Sequence, residues 1–202
     1  MYREIINQVQ TFSENAISQE RKHLLRPLTQ YIQSKKEVGL PVYLTFICTH
    51  NSRRSHFSQV WAQTMAFYFN VPIVYCYSGG TETTAIYSSV INTLANQGFK
   101  IIKLSDSANP IYAIRYNDNA PPIIGFSKNY THDFNPKNNF GAIMTCDSAN
   151  EACPIVSGAD ARFSIEYKDP KMYDYTELQE QKYLERSLEI AQEMWWVFKN
   201  IR

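Results

Sequence analysis

Eight consecutive residues, Cys48-Thr49-His50-Asn51-Ser52-Arg53-Arg54-Ser55, gather a thiol, two guanidinium groups and three hydroxyls in one short stretch. The pattern is C-x5-R-S. A loop of this kind curls so that successive backbone N–H groups point inward and, with the N-terminus of a following helix, cradle a tetrahedral oxyanion. Arg54 then grips two anion oxygens, because a planar guanidinium donates bidentate, charge-assisted hydrogen bonds. Thr49, His50, Asn51, Ser52 and Arg53 make up the rest of the cradle. The same positive surroundings favour a thiolate at Cys48, and the Ser55 hydroxyl can donate a further bond to that sulfur. Nucleophile and cradle thus come from one loop. The plainer alternative is a buried strand-end cysteine beside a solvated patch of His50, Arg53 and Arg54. The strand before the loop, the helix after it, the serine following the arginine and the asparagine inside it weigh against that alternative.

Two more thiols follow in Cys146-Asp-Ser-Ala-Asn-Glu-Ala-Cys153-Pro154. Cys146 ends a short apolar run, where a parallel sheet would also place Cys48, so the two can meet. Metal binding is disfavoured: zinc sites use short pairs such as C-x2-C, whereas this pair is six residues apart and the only loop histidine is His50. Cys76 lies inside an apolar run and reads as a small buried hydrophobe. Asp169-Pro170 is an everyday turn sequence, yet a carboxyl group beside an anionic site suits general-acid work. His23 and His132 show no partner in sequence.

These residues need a scaffold. Residues 41–48 are a β-branched and aromatic run of strand length, and Phe57, Val60, Trp61, Met65 and Tyr68 then recur at helical steps from a start near Ser55. A strand over 71–77 ends at Gly79-Gly80, and a helix marked by Ile86, Val90 and Leu94 stops at Gly98. This alternation predicts an α/β fold, a central parallel sheet of about four strands flanked by helices, with ligands at the strand C-termini. Residues 140–146 form another strand, a polar loop runs to Cys153, residues 161–167 alternate, and a long amphipathic helix begins near Thr176. Residues 1–38 read as a helical extension of two helices, with Pro27 able to open the second. Residues 104–139, with four prolines and seven asparagines, read as an irregular insertion carrying a hairpin within one domain of core 41–202.

Composition narrows the partners. With 202 residues, 44% hydrophobic and 19% charged, the chain can bury a substantial core and does not resemble a disordered or fibrous sequence. A net charge of +1 cannot supply the basic field that binds nucleic acid or an anionic membrane, so any anion site is local. No apolar run approaches a membrane span and the polar N-terminus lacks a signal-peptide core, which predicts a cytoplasmic protein. Four cysteines are too few for a disulfide scaffold.

The loop, following a first strand, resembles that of the low-molecular-weight tyrosine phosphatase superfamily. Its two branches, phosphatases and thioredoxin-coupled arsenate reductases, both use the loop cysteine as nucleophile. The resemblance implies that Cys48 is the nucleophile, Arg54 the oxyanion clamp, Ser55 the thiolate stabiliser and Asn51 a loop-shaping residue. A phosphatase needs no second thiol, since water resolves its phosphocysteine. A reductase does, because arsenic must receive two electrons, which thiols supply by forming a disulfide. The C-x6-C-P segment resembles the mobile loop of the reductases, which implies Cys146 as resolving thiol and Cys153 as carrier of the final disulfide. Asp169-Pro170 lies sixteen residues past Cys153, the separation of the Asp-Pro acid in those reductases. The resemblance therefore implies an arsenate reductase, free of metal or other cofactor, that takes an arsenate or phosphate-type oxyanion and is restored by thioredoxin or a similar dithiol. The alternatives are a low-molecular-weight tyrosine phosphatase, with Tyr173 and Tyr175 similar to residues lining phosphotyrosine sites, and a non-catalytic oxyanion sensor. Three positions depart from the pattern: His50 for a common Gly, Arg53 for Cys or an apolar residue, and Gln59 for a Glu that helps bind potassium in some reductases.

Overall fold

Val42–Cys48 forms β1, buried almost throughout, as a β-branched and aromatic run between two neighbouring strands must be. In the computed structural model, which describes residues 1–152 and 155–202, it lies inside a four-stranded sheet of order β2-β1-β6-β7. The partners are β2 (Val74–Gly80), β6 (Phe140–Met144) and β7 (Ala159–Ser164), and every pairing is parallel. Ile47 stands opposite Met144, so Cys48 and Cys146 leave adjacent strands at the same end of the sheet. That end is where helix N-termini and loops converge in a parallel sheet.

The N-terminal extension is helical, with one correction. α1 (Arg3–Val9) and a 3-10 turn (Glu14–Ala16) precede α2 (Gln19–Glu37), which Ser18 caps by accepting from the Arg21 N–H at 3.1 Å. Pro27 does not open this helix but lies inside it. A proline there costs about 3 kcal/mol. Burying Leu25, Leu28 and Ile32 completely, at about 2 kcal/mol each, outweighs that cost. Ile5, Val9 and these α2 residues join the same apolar cluster as Trp61 and Phe198, so the extension packs into the core of the sheet.

α3 (Arg54–Tyr68) and α4 (Ser88–Asn96) follow β1 and β2 as expected, and α6 (Gln179–Lys199) crosses α3, its Ser187 hydroxyl accepting from the Trp61 indole at 2.9 Å. The insertion is more ordered than its composition suggests. It carries the expected hairpin of β4 (Tyr112–Arg115) and β5 (Ile123–Gly125), and β3 (Lys100–Lys103), just before the insertion, pairs antiparallel with β4 to complete a three-stranded sheet. Beyond that sheet the chain returns to the edge of β2, where Gly80 donates to Lys128 O and accepts from the Tyr130 N–H. The rest of that edge is closed by side-chain amides: Gln63 bonds Val74 O and the Cys76 N–H, Gln59 bonds Cys76 O, and Asn135 bonds Ser78 O. An otherwise open strand edge is thereby blocked.

A second correction concerns 147–152, expected as polar loop. Asp147–Ala152 forms α5, a short helix, with Asp147 in its first turn, where a carboxylate is favoured, and Asn150 tied to Glu166 and Ser164. Cys153 and Pro154 fall outside the described residues, and with them the expectation of a mobile relay thiol. Among the described residues no helix is long and apolar enough to cross a membrane.

Candidate active site

The loop between β1 and α3 is anchored by its carbonyl groups. Cys48 O accepts from the Thr81 N–H, Thr49 O from Glu82, Ser52 O from Tyr87 and Arg53 O from His56 and Phe57. His50 O accepts from the Thr84 and Ser127 hydroxyls, and Asn51 O pairs with the His56 ring at 2.9 Å. With every carbonyl turned outward, the N–H groups of residues 49–55 are left without a protein acceptor among the described residues. They form a ready nest for an anion, reinforced by the N-terminus of α3.

Asn51 shapes this nest. It is fully buried with φ +43°, its carboxamide oxygen accepts from the Lys128 N–H at 2.9 Å, and its amide donates to Ser55 Oγ at 2.9 Å. The left-handed residue is thus Asn51, a type that tolerates that conformation, while His50 has a negative φ and needs no glycine. Gly80 must be small instead: a Cβ there would sit 2.6 Å from Thr49 O and 2.8 Å from the Asn51 nitrogen. His50 points outward, 3.3 Å from Glu82.

Cys48, Arg54 and Asp169 face a common hollow. Cys48 Sγ lies 3.1 Å from Ser55 Oγ; Ser55, receiving from Asn51, is left with its own proton to give the sulfur. Arg54 donates to Tyr167 O at 2.9 Å and to the Asp169 carboxylate at 2.5 Å. Cys48, His50, Ser52, Arg53, Arg54 and Asp169 line this narrow hollow of about 10 Å3. A wider cleft of about 430 Å3, lined by Arg54, Asp147, Ser148, Glu166, Tyr167, Lys168 and Asp169, shares its wall. Cys146 is completely buried beside the loop, its sulfur 3.6 Å from Thr49 Oγ1 and receiving the Ala149 N–H at 3.4 Å.

The sequence-expected residues Cys48, Thr49, Asn51, Ser52, Arg54, Ser55, Cys146 and Asp169 are therefore brought together. Arg53 needs a correction. Its backbone stays in the loop, but its guanidinium turns away to Asp174 and Tyr183, at 2.6 and 2.5 Å, so the side chain is committed elsewhere than to the anion.

Sequence reasoning missed the shell behind the loop. Burial, with the nearby Lys128 charge adding to it, pushes the His56 imidazole down to about 3. The neutral ring can then donate to Asn51 O while its other nitrogen accepts from Ser78 Oγ at 3.3 Å. Burial likewise pushes the Lys128 ammonium down to about 7; it bonds Phe126 O and lies over the Phe126 ring. No local signal marked either residue: His56 sits in the first turn of α3 and Lys128 in the irregular insertion. Gly79-Gly80 at a strand end was the one usable sign of close approach.

No family model matches the sequence, and no curated protein matches it. Solved structures do match in fold. A low molecular weight phosphotyrosine phosphatase from Vibrio cholerae O395 superposes with TM-score 0.52 at 11% identity, covering 76% of this chain and 92% of that one. The low molecular weight protein tyrosine phosphatase of T. tengcongensis gives 0.53 at 14%, covering 76% and 95%. An arsenate reductase from Archaeoglobus fulgidus DSM 4304 gives 0.47 at 17%, covering 78% and 99%. The two phosphatase structures superpose over most of their length, and this chain has the low-molecular-weight phosphatase-like α/β fold.

Proposed function

We propose that this chain is a cysteine-dependent oxyanion enzyme that reduces arsenate to arsenite. The observation that carries the reading is the place of Cys146, a second thiol buried against the oxyanion loop at the same sheet end as Cys48. The Cys48 thiolate attacks arsenic and forms an S–As bond, while the departing hydroxide leaves as water with the Asp169 proton. The Cys146 thiolate then attacks Cys48 Sγ; the S–As electron pair goes to arsenic, and arsenite leaves with a Cys48–Cys146 disulfide behind it. Cys153 attacks Cys146 and frees the Cys48 thiolate. Thioredoxin or a similar dithiol protein of a reducing, cytoplasmic environment takes up the final disulfide. Throughout, the loop N–H groups and Arg54 hold the oxyanion charge.

A phosphatase is the second reading, favoured by the cleft of about 430 Å3 beside the hollow, which gives an ester leaving group room that arsenate does not need. Cys48, Arg54 and Asp169 would act unchanged there, with Cys146 and Cys153 idle. Wild type and Cys146→Ser, assayed with arsenate plus thioredoxin and separately with an aryl phosphate, separate the readings. The reductase predicts that Cys146→Ser loses arsenite formation and keeps any ester cleavage. Strong ester cleavage with no arsenite from either protein would establish the phosphatase, and silence in both would leave an oxyanion sensor.

A further inference from the structure

Arg53 occupies the N-cap of α3 without any side-chain capping bond, at a position where Ser, Thr, Asp or Asn would serve the helix better. Its contacts lie across the site instead. Nη2 donates to Asp174 Oδ2 at 2.6 Å, Nε donates to the Tyr183 hydroxyl at 2.5 Å, and that hydroxyl donates to Asp174 Oδ1 at 2.6 Å. The guanidinium plane rests 4.1 Å over the Tyr87 ring, which stacks on Tyr183. The arginine and aspartate side chains are only 12% and 9% exposed, so this is a closed, mostly dry ring of bonds. Burial and then the bond to Asp174 push the Tyr183 phenol above its ordinary value, which keeps it a donor.

We propose that Arg53 is a positioning residue: with Asp174 and Tyr183 it latches the acid-bearing segment to the loop so that Asp169 stays over the hollow. The proposal rests on the assignment of Cys48 as nucleophile and Asp169 as acid. Adjacent arginines hold the segment at two points, Arg54 at Tyr167 O and Arg53 at Asp174, with Asp169 between them. An arriving oxyanion competes for Arg54, which is already the partner of Asp169. Arg53 is untouched by that competition. With Asp169 Oδ1 also capping its own 3-10 turn through the Lys171 N–H at 3.0 Å, the acid keeps its place when its ion pair is given up.

The test compares Arg53→Met, Arg53→Lys and Tyr183→Phe with wild type and Asp169→Asn, using p-nitrophenyl phosphate, phenyl phosphate and arsenate, with inorganic phosphate as competitor. A displaced acid harms substrates whose leaving group needs a proton. Arg53→Met is expected to lower kcat on phenyl phosphate and arsenate by about 10- to 100-fold, as misplacement of about an ångström does. The nitrophenyl ester, KM and phosphate inhibition should change less than about 3-fold, the signature of a lost transition-state interaction. Arg53→Lys should recover part of the loss. Tyr183→Phe, which keeps the buried ring, should show the same leaving-group dependence on a smaller scale even where Arg53→Met folds poorly. Wild-type rates for Arg53→Met on every substrate the wild type turns over, or a uniform loss with weakened phosphate binding, would overturn the latch alone. No Asp169-dependent turnover of any substrate by the wild type would overturn it together with the catalytic assignment.

Discussion

The loop of residues 48–55 and the segment of residues 165–174 face each other across the hollow, and they are held by different forces. The loop is fixed through its backbone: each carbonyl from Cys48 to Arg53 is bonded outward, and a buried asparagine fixes the turn. The facing segment is held by backbone bonds only at its start, where the Ile165 and Tyr167 N–H groups donate to Met144 O and Thr145 O; from there it is tied by charged side chains, Arg54 to Asp169 and Arg53 to Asp174, with Arg21 of the N-terminal extension, backed by Glu193, on Glu166 O. Backbone bonds in a buried site have no alternative partner once made, so they keep one shape. Charge pairs can exchange a partner when an anion arrives. The difference makes the loop a mould and the segment an adjustable jaw.

Asn51→Ala should break the mould most severely. It leaves the buried Lys128 N–H and Ser55 hydroxyl short of a partner and removes a residue suited to φ +43°. Stability is expected to fall by about 2–4 kcal/mol and kcat/KM by about 100-fold or more, read from thermal melts and steady-state kinetics. Wild-type turnover in this variant would show that the loop does not depend on Asn51.

A smaller effect should expose the buried ammonium behind the loop. Burial lowers Lys128 from an ordinary 10.5 to about 7, so between those values the unfolded chain binds the extra proton and stability rises with pH. Lys128→Met, compared with wild type by denaturant melts, should therefore gain relative stability as pH falls from about 10 to about 7, then level off. A difference curve flat across that window would place the ammonium in contact with solvent or a carboxylate.

The smallest effect belongs to the extension. Arg21 donates twice to Glu193, stacks near the Tyr167 ring and reaches Glu166 O, two residues from Lys168 and three from Asp169. The paired variant Arg21→Met/Glu193→Gln avoids stranding a buried carboxylate and should lose about 1 kcal/mol and less than about 3-fold in kcat. A larger kinetic loss would show that the tie from the extension to Glu166 O sets the position of Asp169 as strongly as the ties from the loop.

The same contrast explains what was legible in the sequence. The mould was readable because its chemistry is contiguous, from Cys48 to Ser55, between an obvious strand and an obvious helix. The jaw was readable only where a motif marked it, at Asp169-Pro170. Arg53 looked like Arg54 in sequence because its partners Asp174 and Tyr183 are 121 and 130 residues away. α5 was obscured by Asp147, Ser148 and Asn150, residues that favour turns until Asn150 finds its cross-chain partners. Pro27 misled because local propensity was outweighed by the buried face of α2. The hairpin of β4 and β5 was readable from its apolar runs, whereas β3, a Lys-Ile-Ile-Lys strand of four residues with three of them exposed, is too short and too polar at its ends to stand out.

The most direct measurement of the central claim uses Cys153→Ser, treated with one equivalent of arsenate, alkylated and digested without reductant, with peptides read by mass spectrometry. The account predicts one arsenite released per chain and a peptide joining Cys48 to Cys146. Full alkylation of both thiols with no arsenite formed would contradict it.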